Sequence, residues 1–432
     1  MSRPQVRVTL TSAGFPFAFL FPIASMPVEY RRITDDSFRE WRVAVRRAFG
    51  DLVHPDDIER ARSQRVNMDR LLGAYEDGAL VGTGGVDEHT ITVPGGAQLP
   101  LSGIGYLTTA ATHRRRGILR GMMQKLTEDA VDRQEPVAAL WAAQSSIYTR
   151  FGFGIGSTVE SWTIDRAGTA FVKVPTATGR IRFVPADSAL SEFAKVYDRV
   201  RATRPGFVDR SRSRWLYNFF DDERVRGSWS GLFYVAYETD GRTDGYAIYR
   251  TRRPGPEDDF LEMSVIECVA ASDEAHAALW RFLFDVDLVR NVAADSRPPD
   301  DPVWWMLADP RKLKRWPEDG LWVKLLDPVK ALEARAYRHE GGLVLEVNDD
   351  SWPPAAGRFR LECSPAGASC RPTSADPDLV LSASELGAVY LGGVKMSDLA
   401  RAGRVEERRT DALALADMLF AWSPAPWCAH HF

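Results

Sequence analysis

The stretch Thr112-His113-Arg114-Arg115-Arg116-Gly117-Ile118-Leu119-Arg120 carries the residue types that hold a pyrophosphate. A short apolar strand, residues 103–109, precedes it, and an amphipathic segment follows from Gly117. Backbone N–H groups at the start of a helix lack partners within the helix, and the aligned peptide dipoles make that end partly positive. Gly117 lets a phosphate approach the main chain. Arg115, Arg116 and Arg120 add charge-assisted hydrogen bonds, and the backbone of Ile118 and Leu119 completes the cradle. A basic turn that merely caps a helix has the same outline, so the turn alone decides nothing.

The neighbouring elements narrow the choice. Ile118, Met122, Leu126 and Ala130 recur at helical spacing with Leu119 and Met123 beside them, which predicts a helix with one apolar face that stops before Pro136. Residues 137–143 read as a buried strand, and a short helix with a turn carries Ile147-Tyr148-Thr149-Arg150-Phe151-Gly152-Phe153. Upstream, residues 78–84 and 90–93 suggest a hairpin that continues through Pro94-Gly95-Gly96.

With these residues in place, the chain resembles the GNAT superfamily of acyl-CoA N-acetyltransferases. Its pyrophosphate turn, Gln/Arg-x-x-Gly-x-Gly/Ala, corresponds to Arg-Arg-Arg-Gly-Ile-Leu here, with Leu119 in place of the usual small residue. Together with the downstream Ile-Tyr-x-Arg-Phe-Gly-Phe-Gly, the run His-Arg-Arg-Arg-Gly-Ile-Leu-Arg resembles one branch, the Eis (enhanced intracellular survival) family, which uses Leu at that position. The resemblance covers essentially all of the chain after Met26. It implies an α/β (α+β) fold of tandem GNAT-like domains, each a mixed sheet with helices on both faces, closed by a sterol-carrier-protein-like α+β domain. It also implies acetyl-CoA as co-substrate and assembly as a homohexamer.

Acetyl transfer to an amine needs an unprotonated amine, a polarised carbonyl and a proton for the departing thiolate. Backbone N–H groups of a bulged strand at Leu107-Thr108-Thr109 can bond the acetyl carbonyl and the pantetheine amide. Ala143 and Gln144, at the end of the next strand, are placed to meet the pantetheine where two parallel strands splay apart, and the matching positions of the Eis family contact acetyl-CoA. Binding energy from the distant nucleotide then becomes alignment at the carbonyl. Tyr148 is the candidate general acid, since a phenol has a pKa of about 10 against about 8.5 for a thiol. The plainer reading is a core tyrosine whose hydroxyl bonds the backbone; the family resemblance favours the acid. The same resemblance gives the base as the terminal carboxylate, here that of Phe432. For the acceptor, Asp51 aligns with an acidic position of the Eis pocket and Tyr106 with an aromatic that lines it, while Glu40 and Asp87 are further acids to consider. Acids in the cleft favour a polycation, and the resemblance implies an aminoglycoside-like amine acetylated at one or several positions. A protein lysine, or a non-catalytic protein that binds acyl-CoA or lipid, are the alternatives.

Composition limits other functions. The chain of 432 residues is 45% hydrophobic and 26% charged, which predicts two or three domains of an ordinary globular protein. A net charge of −4 gives no reason to expect nucleic-acid binding. Four dispersed cysteines show no metal-ligand spacing, so no metal is expected. Cys363 and Cys370 could face each other across a hairpin, although reduced thiols are the expectation for a cytosolic chain. Two prolines break the apolar run at residues 15–24, which is too short to span a bilayer, so no membrane partner is expected. Residues 1–25 read as a leader or an upstream start, and use of acetyl-CoA predicts a cytoplasmic location. The domains expected are 26–165 (catalytic), 166–326 (degenerate, with Ala271-Ser272-Asp273-Glu274 where a phosphate turn should sit) and 327–432 (sterol-carrier-like).

Overall fold

Glycine content, more than strand propensity, shapes the first sheet. Its elements are β1 (Glu29–Arg32), α1 (Asp35–Ala48), α2 (Pro55–Gln64), β2 (Leu71–Glu76), β3 (Ala79–Thr92), β4 (Gln98–Thr109), α3 (Ile118–Asp132), β5 (Val137–Trp141) and β6 (Gly154–Ile155). The computed structural model describes residues 28–51, 53–64, 67–173, 176–255 and 257–432, so the leader expected over 1–25 lies outside the described residues. Helix α3 buries Ile118, Met122, Met123, Leu126 and Ala130 against β3 and β4. A Cβ at Gly82 would lie 3.0 Å from the Ile118 side chain, and one at Gly84 3.0 Å from Met122. The glycines of β3 therefore form the groove for α3. The two runs read as halves of a hairpin are one strand, and the hairpin itself is β3–β4, turning at Pro94-Gly95-Gly96.

A buried ionic node closes one end of this unit. Arg70 is fully buried, with Nε 2.8 Å from Asp129 and its two terminal nitrogens each 2.8 Å from the Glu135 carboxylate. Removing one member of such a set leaves an uncompensated charge, at a cost of about 3–5 kcal/mol.

The second unit comprises β7 (Thr158–Asp165), β8 (Arg180–Phe183), α4 (Ala186–Arg201), α5 (Arg212–Asn218), α6 (Glu223–Arg226), β9 (Phe233–Thr239), β10 (Arg242–Arg252), β11 (Leu261–Ala270), α7 (Asp273–Asp285), β12 (Val289–Arg297), α8 (Val303–Met306) and β13 (Lys314–Asp319), and is followed by β14 (Leu321–Leu325). The two sheets run β1-β2-β3-β4-β5-β14-β6 and β13-β7-β12-β11-β10-β9-β8. They exchange strands. β7, placed before residue 165 with the catalytic unit, pairs with β12 and β13; β14, placed before residue 326 with the second, lies between β5 and β6. The physical reason is the far edge of β5: Val137 to Leu140 are buried, so their free N–H and C=O groups need a strand beside them. β14 supplies it, from Leu321 opposite Trp141 to Leu325 opposite Val137.

The third unit comprises α9 (Pro328–Ala334), β15 (Gly341–Asn348), β16 (Gly357–Ser364), β17 (Gly367–Pro372), β18 (Leu379–Ser382), α10 (Ala383–Tyr390), α11 (Met396–Arg401), β19 (Val405–Glu407) and α12 (Ala412–Phe420), with sheet order β17-β16-β15-β18-β19. Helix α10 is buried throughout and lies on β14 and β6. A Cβ at Gly154 would stand 1.8 Å from the Ser384 carbonyl, and one at Gly387 2.1 Å from that of Val323, so backbones from two units touch directly. One core cluster joins Leu101, Val137, Ala139 and Val323 of the first sheet to Leu345, Leu361, Leu386 and Val389. The four cysteines are free and buried; β16 and β17 pair Cys363 with Ala368 and Cys370 with Leu361.

Candidate active site

The arginine turn is built by two left-handed residues. Beyond a short turn at Ala111–His113, Arg115 has φ +64° and Gly117, the N-cap of α3, has φ +81°. Only glycine adopts the second conformation readily. The start of α3 carries no side-chain cap, and the amides of Ile118, Leu119 and Arg120 meet no acceptor among the described residues. Arg114, Arg115 and Arg120 are exposed, without an ion-pair partner among the described residues. Arg116 differs. It turns back to Glu76, with Nη1 2.9 Å from Oε2 and Nη2 on Oε1, and His113 Nε2 stands 3.1 Å from the same carboxylate. The Arg116 guanidinium, helped by His113, holds the Glu76 carboxyl below the usual glutamate value. Its side chain thus braces the turn, leaving Arg115 and Arg120 to face outward.

The strand before the turn is bulged. Thr83 pairs with Thr108 and Gly85 with Gly105, so one residue of β3 faces two of β4, and Tyr106 takes φ +58°. Thr83 Oγ1 donates to the Tyr106 carbonyl at 2.7 Å and lies 2.6 Å from Thr108 Oγ1, fixing the bulge. β4 runs parallel to β5 only from Leu101 to Gly103. From Ile104 through Leu107, Thr108 and Thr109 that edge has no strand partner among the described residues, and the two strands part. Exposed Ala143 and Gln144 follow the end of β5 across the opening.

Tyr148 sits where two short helical turns meet, Ser145–Ile147 and Thr149–Phe151. Its ring belongs to the cluster that holds Ile118, Met122, Leu107, Leu119 and Ala142, which brings it to the head of α3 and the bulge together. Burial pushes the phenol pKa above its usual 10, and the hydroxyl bonds no group among the described residues. A core tyrosine satisfied by the backbone would show such a bond. Lys324 Nζ on β14 donates to the Phe151 carbonyl at 2.9 Å and pairs with Asp349 at 2.8 Å, clamping the Tyr148 turn to the third unit.

The C-terminal segment reaches the same opening. Trp427 is buried, its Nε1 donating to the Ser296 carbonyl at 2.7 Å, and Arg210, paired with Glu267, donates to the Ala429 carbonyl at 3.3 Å. The His431 ring stacks on Trp141 at 3.7 Å. The Phe432 ring lies 4.9 Å from that of His89, and so close to Gly103 that a Cβ there would come within 2.8 Å. The last residue thus rests where β4 and β5 separate.

Of the residues expected to meet the acceptor, Tyr106 lies at the β4 bulge: Trp41 is 5.3 Å from its ring, and its hydroxyl donates to Asp87 at 2.9 Å. Asp87 is buried opposite Gly103 and also bonds Arg214 of α5 at 2.8 Å. Asp51 lies beyond α1, 45% exposed, its carboxylate 3.1 Å from Arg46. The structure links it to none of the other site residues, because Arg46 at the end of α1 is its ion partner. Glu40 is exposed on α1. Sequence reasoning missed Trp41, Arg214 and the pair His89–Asp209 (3.1 Å). Alternation along β3 puts Asp87 and His89 on one face and could have flagged the histidine; nothing in the sequence marks its partners from the second unit.

This topology, with a bulged β4 splaying from β5 over an arginine- and glycine-bearing turn, defines a GNAT-type N-acetyltransferase. Family models agree: an acetyltransferase (GNAT) domain matches residues 29–156, a second GNAT domain 206–325, and a sterol carrier protein domain 328–429. The chain belongs to the Eis family of N-acetyltransferases. It is 32% identical to the N-acetyltransferase Eis of Mycobacterium tuberculosis, over 90% of this chain and 95% of that one. It is 38% identical to an uncharacterized N-acetyltransferase of Streptomyces avermitilis, over 94% of this chain and all of that one. The crystal structure of Eis1 from Mycobacterium abscessus superposes with TM-score 0.83 at 31% identity, covering 94% of this chain and all of that one. GNAT enzymes use acetyl-CoA, and the cradle of free amides with Arg115 and Arg120 has the donors that its diphosphate requires.

Proposed function

We propose that the chain transfers the acetyl group of acetyl-CoA to an amino group of a small, aminoglycoside-like polycationic amine, at one or several positions. Amides of Ile118 to Arg120, with Arg115 and Arg120, hold the diphosphate; Arg116 holds the turn. Main-chain groups of Leu107, Thr108 and Thr109 align the thioester carbonyl, while Ala143 and Gln144 flank the pantetheine. Tyr148 donates its proton to the thiolate as the C–S bond breaks. The carboxylate of Phe432 draws the ammonium and takes its proton. The observation that carries this reading is the Tyr148 hydroxyl, unbonded among the described residues and set in the cluster shared by the head of α3 and the β4 bulge.

Thiol release from acetyl-CoA, measured with an aminoglycoside, a simple monoamine and a lysine peptide, tests the proposal. Release stimulated most by the aminoglycoside is the expected result. Coenzyme binding with no stimulation by any amine refutes it. A preference for the lysine peptide overturns the substrate class alone. We further propose a cytoplasmic homohexamer, which fractionation and light scattering would test.

A further inference from the structure

The catalytic account leaves one buried titratable pair unused. His89 lies on β3 opposite Leu101, two residues from Asp87, with its side chain 1% exposed. Its Nδ1 stands 3.1 Å from Asp209 Oδ1, and Asp209 also accepts the Thr90 amide at 2.7 Å. An ionised carboxylate only accepts, so Nδ1 carries the hydrogen, and Nε2 is the ring atom left to take up a proton. Nε2 is out of contact with water and has no hydrogen-bond partner among the described residues. Such an atom, left unsatisfied, costs free energy unless a ligand completes it. The ring faces the tail at the head of the β4–β5 opening: Phe432 is at 4.9 Å and His430 at 5.6 Å.

We propose that His89, oriented by Asp209, is the terminal proton acceptor of the acetyl transfer, a role that rests on the amine N-acetyltransferase reading. Phe432, whose carboxylate meets the ammonium in that reading, packs its ring 4.9 Å from the His89 ring, which makes the unpartnered Nε2 the next acceptor for the proton. The ammonium N–H bond breaks, the Nε2–H bond forms, and Asp209 balances the imidazolium. The neutral amine attacks the thioester carbonyl. The C–S bond then breaks, the thiolate takes the Tyr148 proton, and the surplus proton on the new amide nitrogen restores the phenol. The imidazolium returns its proton by way of the Phe432 carboxylate to solvent, giving amide, thiol and one released proton. The charged and titratable groups around the ring are Asp209 with Arg201 behind it, Asp87 with Arg214, His430, and the Arg210–Glu267 pair reached through Ala429.

The test uses the full chain with acetyl-CoA and any amine the unaltered enzyme acetylates. His89→Gln should lower kcat by tenfold or more near neutrality, short of the full general-base effect of about 10²–10⁴ because the carboxylate remains. It should abolish the acid limb of the pH profile and leave the KM for acetyl-CoA within about twofold. Added imidazole should restore turnover to His89→Gly, which a packing role would not allow. Asp209→Asn, which keeps an acceptor for Thr90, should move the acid limb to lower pH because it removes the charge that stabilises the protonated ring. It carries the test alone if the histidine variants do not fold. A folded His89→Gln enzyme with an intact acid limb and turnover within twofold overturns the proposal, as does an Asp209→Asn profile identical to the parent. An unaltered chain that acetylates no amine refutes the reaction itself, a different outcome.

Discussion

Replacing Lys324 with methionine should separate catalysis from coenzyme binding. Lys324 Nζ is buried and bonds three groups: Asp349 at 2.8 Å, Ser351 Oγ at 2.7 Å and the Phe151 carbonyl at 2.9 Å. Burial pulls its pKa below the ordinary lysine value while Asp349 works to keep it charged. Lys324→Met leaves the Asp349 carboxylate, 1% exposed, facing an apolar side chain. Oδ1 keeps the amides of Ser351 and Trp352, but Oδ2 loses its cation. Removing one partner of a buried pair costs about 3–5 kcal/mol, whereas replacing both by neutral groups restores much of it. Lys324→Met should therefore lower Tm by on the order of 5–10 °C, and Lys324→Met/Asp349→Asn by clearly less than the two single losses together. The Phe151 carbonyl also loses its donor, and with it the Tyr148 turn loses its tie to the third unit. Turnover in the thiol-release assay should fall, while calorimetric affinity for coenzyme A holds within about twofold, since the 115–120 turn touches none of these groups. Additive Tm losses, or affinity falling in step with kcat, would refute the clamp.

Three further outcomes follow from the geometry. Tyr148→Phe should lower kcat by about 10²-fold or more with coenzyme affinity unchanged; because burial raises its pKa, the phenol's preference for the neutral form is complete below pH 10 and is lost only as pH rises through the raised value, so the pH–rate profile should show no alkaline loss from this group before pH 10. Gly117→Val meets open space but must adopt φ +81°, costing about 1–2 kcal/mol in the turn, and titration calorimetry should show at least tenfold weaker coenzyme binding. A short extension after Phe432 should impair acetylation without altering coenzyme affinity, and a fully active extended enzyme would remove the terminal carboxylate from the chemistry.

What the sequence disclosed follows the range of the interactions involved. The cradle at residues 115–120, the strand 137–141 and the turn bearing Tyr148 are legible because each depends on neighbours within about four residues: a φ only glycine favours, an apolar face at helical spacing, a proline stop. The strand exchange was not legible, since β7 and β14 have the composition of their own surroundings and differ only in which edge needs them. Asp51 carried no mark in the sequence of its ion pair with Arg46, five residues before it. Asp87 carried no mark of Arg214, 127 residues later in the chain, nor His89 of Asp209.

The second unit explains why one active site employs three folded parts. Its own helix α7 opens on Ser272, whose hydroxyl caps Ala275, and on Glu274, pulled down to about 2 by the Tyr237 hydroxyl and the Thr178 amide and hydroxyl. A hydroxyl cap and two acids, Asp273 and Glu274, stand in the first turn where a diphosphate would need free amides and positive charge, so this unit keeps the sheet without the cradle. What it contributes lies elsewhere: Arg214 on Asp87, Asp209 on His89, the Ser296 carbonyl on Trp427 and Arg210 on the Ala429 carbonyl. All four hold β3 or the C-terminal segment, and none is made to residues 115–120. The division of labour is physical. The arginine turn is built by local sequence, whereas Asp87 and His89 of β3 are fixed by partners the second unit brings from far along the chain.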